Sequence, residues 1–85
     1  MRKSLRGQIT LYSKPDCHLC ERALVALEKF GDVHEIDISQ DTDLFKKYFL
    51  SIPVVELEGK IIFQASDIKS PGDIETKLEN ILAIL

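Results

Sequence analysis

The chain has 85 residues, 45% hydrophobic and 29% charged, a balance that suits one small globular domain spanning residues 1–85. A formal net charge of −3 argues against nucleic acid as the main partner, because phosphate binding asks for a basic stripe. No apolar run approaches the ~20 residues that a membrane span requires, and two cysteines are too few for the disulfide framework of a small secreted domain.

The basic start, Met1-Arg2-Lys3-Ser4-Leu5-Arg6, has no apolar stretch behind it. Residues 1–7 are therefore expected to form a flexible tail rather than a signal peptide, which makes the cytoplasm the default setting. Gln8 to Ser13, "QITLYS", is rich in β-branched and aromatic residues and predicts a first strand. Lys14-Pro15-Asp16 breaks it. From His18 to Phe30, Leu19, Ala23, Leu24, Ala26, Leu27 and Phe30 recur at helical spacing, with Glu21 and Lys29 matching the helix dipole and Gly31 placed to end the helix. Asp32 to Ile38, "DVHEIDI", alternates and predicts a second strand.

Ser39 to Thr42 offers several N-caps for a helix reaching about Leu50, with Leu44, Phe45, Tyr48 and Phe49 as its apolar stripe. Pro53 opens a hairpin: Val54 to Leu57, a turn at Glu58-Gly59, then Ile61 to Gln64. Ser70-Pro71-Gly72-Asp73 starts a last helix, with Pro71 in its first turn. Ile74, Leu78, Ile81, Leu82 and Leu85 line one face. The order β-α-β-α-β-β-α predicts an α/β domain with a four-stranded mixed sheet and helices on both faces.

Both cysteines lie at the join of the first strand and the first helix, in "DCHLC", Asp16 to Cys20. A structural bridge there would close too short a loop to gain much chain entropy. Zinc asks for four convergent ligands, and beyond Cys17 and Cys20 only His18 and His34 are candidates. Haem attachment is excluded, because Glu21 stands where histidine would follow the second cysteine. A redox pair fits better. Cys17, just ahead of the helix, meets unpaired N–H groups and a partial positive charge that favour its thiolate. Cys20, one turn on, can reach back to resolve a mixed disulfide. Lys14 would favour the Cys17 thiolate by charge, Asp16 would oppose it, and His18 either donates to the thiolate or faces solvent. A metal or iron–sulfur carrier using the same thiols and a redox-silent interaction domain remain alternatives.

"YSKPDCHLC", Tyr12 to Cys20, resembles the Tyr-Ser-Lys-Pro-x-Cys-x-x-Cys signature of glutaredoxins, and "SIPVVELEGKII", Ser51 to Ile62, resembles the segment that carries their cis-proline and hairpin. The resemblance spans Gln8 to the C-terminus. It implies a thioredoxin-like fold and a thiol–disulfide oxidoreductase with Cys17 as nucleophile and Cys20 as resolver. It further implies a cis Ile52–Pro53 bond, and substrate contacts from Lys14, His18, Ile52 and Pro53, with the Ile52 backbone pairing with an extended substrate. The expected partners are a disulfide-containing protein substrate and an electron donor, either a protein reductase or glutathione. No tightly bound cofactor and a monomer are expected.

Two departures bear on the donor. His18-Leu19 replaces the proline and aromatic residue usual between the cysteines. Phe63-Gln64-Ala65-Ser66-Asp67 replaces a Gly-Gly-acid stretch that helps hold glutathione. Phe63 and Gln64 are expected to obstruct the glutamyl end, while Ser66 and Asp67 remain candidates to contact its amine. Glutathione is accordingly expected to be the poorer reductant.

Overall fold

A computed structural model describes residues 8–70 and 72–84. The expectations for the 1–7 tail, for Pro71 and for Leu85 lie outside the described residues. Strand β1 (Ile9–Ser13) leads to helix α1 (His18–Glu28), β2 (Val33–Asp37), α2 (Thr42–Tyr48), the hairpin β3 (Val54–Leu57) and β4 (Lys60–Phe63), and α3 (Asp73–Ile84). The sheet order is β2-β1-β3-β4, parallel between β1 and β2 and antiparallel elsewhere.

Period-2 alternation gives each face of the sheet its own filling. Ile9 and Leu11 of β1 and Val55 and Phe63 of the hairpin turn one way. They pack with Ala23, Ala26 and Leu27 of α1 and Ile74, Leu78 and Leu82 of α3. Small residues at Ala23 and Ala26 let α1 lie close against this layer. Two ion pairs clamp α1 to α3: a bidentate Arg22–Glu75 pair, at 3.0 and 3.1 Å, and Lys29–Glu79 at 3.4 Å. Tyr12 and Val54, one residue out of step, turn the other way and meet Ile38, Tyr48 and Ile52. Tyr12 stacks on Tyr48 of α2 with ring centroids 4.5 Å apart, a pairing that adds about 0.5–1.5 kcal/mol beyond its buried area.

Several boundaries differ from the sequence reading. Helix α1 closes at Glu28 because its last turn tightens, with the Phe30 N–H donating to the Leu27 carbonyl at 2.9 Å. The segment after β2 is a 3₁₀ turn, Ile38–Gln40, not strand. The Asp37 carboxylate accepts the Ser39 N–H at 2.9 Å and its hydroxyl at 2.6 Å, and so bends the chain. Asp41 is the N-cap of α2, accepting from Leu44 N at 3.0 Å. Only half of the apolar stripe on α2 is buried. Leu44 and Tyr48 face the sheet, while Phe45 and Phe49 are 41% and 46% exposed and stack on each other at 5.4 Å. A second 3₁₀ turn, Ala65–Asp67, follows β4, held by reciprocal contacts between Gln64 and Asp67.

Candidate functional site

The β1–α1 join is built by its own residues. Ser13 ends β1 with its side chain buried, 3% exposed, and its hydroxyl donates to Glu35 of β2 at 2.8 Å. Asp16 adopts a positive φ of 61°, a conformation that aspartate tolerates better than most side chains, and turns the chain into the helix. Cys17 is then the N-cap of α1. Its backbone is extended, its carbonyl accepts from Glu21 N at 3.0 Å, and its sulfur accepts the Cys20 N–H at 3.2 Å. Cys17 and Cys20 are joined as a disulfide, with Cα atoms 5.2 Å apart.

The two sulfurs are not equivalent. Cys17 is half-buried on the surface of the second apolar cluster, whereas Cys20 is 2% exposed and part of that cluster. An N–H aimed at Cys17 Sγ and the positive end of α1 both favour negative charge on that sulfur. Burial without such help disfavours it on Cys20. Of the two, Cys17 is the one offered to solvent, and Cys20 lies behind it.

A shallow cleft of about 330 Å³ opens beside the pair, with Lys14, Asp16, Glu21, Glu35 and Asp37 on its walls. Lys14 thus reaches the site, together with Asp16. His18 does not turn inward. Its side chain is 96% exposed and its Nδ1 lies 3.8 Å from Glu21, so of its two readings the solvent-facing one holds.

Ile52 joins the cluster that contains Cys20, and Pro53, buried, follows it through a cis bond. The Ile52 N–H donates to the Tyr48 carbonyl at 3.1 Å, so of the Ile52 backbone expected to pair with an extended substrate the donor is already in use. The short α2 ends immediately before it, and its last turn claims that N–H. The obstruction expected from Phe63 is also corrected: its ring, 1% exposed, is opposite Val55 and inside the larger core. Of the two, Gln64 is the one with its side chain partly exposed. The Asp67 carboxylate accepts the Gln64 N–H at 3.0 Å, and Ser66 is exposed.

One neighbouring group is strongly perturbed. Tyr12, in the residue run before the cysteines, has its phenol pushed up to about 12, first by burial and then by the Glu56 carboxylate, which accepts a hydrogen bond from its hydroxyl at 3.1 Å. Tyr48 donates to the other oxygen of Glu56 at 3.4 Å. Sequence reasoning passed over Glu56, Glu35 and Asp37, which read as the polar halves of alternating strands. Among the described residues no group of three or more His, Cys, Asp or Glu side chains converges as metal ligands, and His34 is exposed on β2.

The Glutaredoxin-like domain (DUF836) family matches residues 8–80. Among solved structures, the X-ray structure of Northeast Structural Genomics target protein XcR50 from X. campestris is similar. It is 28% identical over 85% of this chain and 96% of that one, with a TM-score of 0.63. Among curated proteins none matches.

Proposed function

Since this chain belongs to the glutaredoxin-like domain family, with a thioredoxin-like fold, we propose that it is a thiol–disulfide oxidoreductase working through Cys17 and Cys20. The observation that carries the reading is the asymmetry of the pair: one sulfur capped by an N–H at a helix N-terminus and open to solvent, the other buried behind it.

In the reduced protein the Cys17 thiolate attacks one sulfur of a substrate disulfide. That bond breaks, the first substrate thiolate leaves and takes a proton, and a mixed disulfide forms on Cys17. Cys20 gives up its proton and attacks Cys17 Sγ. The intramolecular disulfide forms and the second substrate thiol is released, so two electrons pass from the dithiol to the substrate. Lys14 contacts the substrate in this proposal, while Ile52 and Pro53, which are buried, support the site from beneath rather than offering it a surface. His18 takes no part in activating the thiol. A protein reductase is the favoured donor over glutathione, because Gln64 carries a side chain where the glutaredoxin pattern has glycine, which restricts close backbone approach.

The test is NADPH-coupled turnover with a disulfide-bonded protein substrate, run once with thioredoxin reductase and once with glutathione and its reductase. Turnover is expected in the first arm and should disappear in Cys17→Ser. Cys20→Ser should instead accumulate a covalent adduct with the substrate, visible by mass. A Cys17→Ser variant that turns over as the parent does would sink the proposal and leave the fold as an interaction domain.

A further inference from the structure

The walls of the cleft come from three places in the chain, and the parallel register explains why they meet. Leu11 is paired with Glu35 and Ser13 with Asp37, so both acids fall on the same side of the sheet as Ser13. Each is held. Glu35 accepts the Ser13 hydroxyl at 2.8 Å, and Asp37 accepts the Ser39 N–H and hydroxyl. Asp16 and Glu21 add two exposed carboxylates beside Cys17, one on each side of it in the chain. Lys14 is the one cation among the lining residues. Four carboxylates against one ammonium give the cleft a formal charge of −3, as much as the whole chain carries. The charges outside the cleft balance only when Arg2, Lys3 and Arg6 are counted, so what distinguishes the cleft is its four carboxylates gathered beside the attacking sulfur.

Resting on the oxidoreductase reading, we infer that this acidic cleft selects its disulfide substrates by charge. It favours a polypeptide segment with lysine or arginine next to its cysteine, and it disfavours anionic disulfides. The sulfur of Cys17 must be approached to bonding distance, so residues flanking the substrate cysteine are carried into the cleft with it. A cation there meets carboxylates that are already in position, and an anion meets them with opposite sign. Glutathione carries two carboxylates and one ammonium, a net −1, and falls on the disfavoured side. That is a reason for poor turnover by glutathione independent of Gln64.

The test uses pre-reduced protein and three symmetric peptide disulfides of one sequence, with lysine, glutamine or glutamate on both sides of the cysteine. Each second-order rate is divided by the rate of the same peptide with 2-mercaptoethanol, which removes the effect of flanking charge on the substrate sulfur itself. The lysine peptide should exceed the glutamate peptide by roughly tenfold at low ionic strength, and the ratio should contract as salt is raised. The double variant Asp16→Asn/Glu21→Gln should narrow it. Asparagine tolerates the positive φ of residue 16 and glutamine keeps the helix, so near-parental circular dichroism is expected alongside. Equal normalised rates, all well above the small thiol, would overturn the charge inference and leave the oxidoreductase reading standing. Rates no higher than those of the small thiol for any peptide would overturn both.

Discussion

The molecule has two apolar clusters that differ in what fills them. The larger, between the sheet and the α1–α3 layer, buries Phe63 among aliphatic residues. The smaller, beneath α2, contains Cys20 and two tyrosines and has Cys17 at its edge. Cys20 belongs to it although most of α1 is buried in the other. The first cluster supplies burial, which needs only apolar area and fit. The second positions reactive and polar groups, and it leaves Phe45 and Phe49 partly in solvent. The thiol pair thus lies with the cluster whose covering helix is partly exposed, a division that under the proposed function keeps the stabilising core away from the reactive atoms.

If that division is real, damage to the larger cluster should cost stability and spare the thiols. Leu78→Ala should destabilise the fold by about 2–5 kcal/mol in a denaturant titration. Thiolate absorbance of the reduced, folded variant should still rise over the same pH range as in the parent. A shifted titration would show that the clusters communicate.

The smaller cluster can be tested through Tyr12, whose phenol is held protonated to about pH 12 against an ordinary value of 10.0. A proton held more tightly in the folded state contributes stability that is complete below pH ~10 and is lost as pH rises towards ~12, because the unfolded chain ionises first. Tyr12→Phe should lower stability at neutral pH by about 1 kcal/mol, the scale of one hydrogen bond, and should flatten the decline between pH ~10 and ~12. An unchanged alkaline decline would move the titrating group elsewhere.

The smallest effect is expected at the surface clamp of the larger cluster. Arg22 holds the Glu75 carboxyl below the usual glutamate range, chiefly through their hydrogen bonds, so the contribution of the pair is present at neutral pH and fades as pH falls through that lowered value. In a double-mutant cycle, Arg22→Ala with Glu75→Ala should show a weak coupling that high salt removes. A coupling that resists salt would mean that the clamp is part of the core rather than its cover.

What the sequence made legible follows the same division. The limits of β3 are those expected, Val54 and Leu57, because Pro53 and the Glu58-Gly59 turn punctuate both ends. Cys17 and Cys20 were readable because thiol chemistry and a helix start coincide in five residues. The two 3₁₀ turns were written in short capping signals, Asp37 to Ser39 and Gln64 to Asp67, that look like strand ends until the backbone is seen to bend. The acidic cleft could not be read at all. Glu35 and Asp37 come to lie beside Ser13 and the cysteines only through the register of β1 with β2, and register is a property of the pairing rather than of either segment.

Strand β2 has a second consequence for the protein in concentrated solution. It is an outer strand of the described sheet, with one row of backbone donors and acceptors not used by β1. Such a row is a template on which another copy could zip, the first step towards fibrous aggregates. His34, Glu35 and Asp37 place polar groups along it, and two copies laid edge to edge would bring like charges together. The carboxylates that give the cleft its sign therefore also act as gatekeepers against self-assembly. Neutralising both is expected to lower colloidal stability, measurable as a reduced concentration at the onset of light scattering, even where the folded state itself is unharmed.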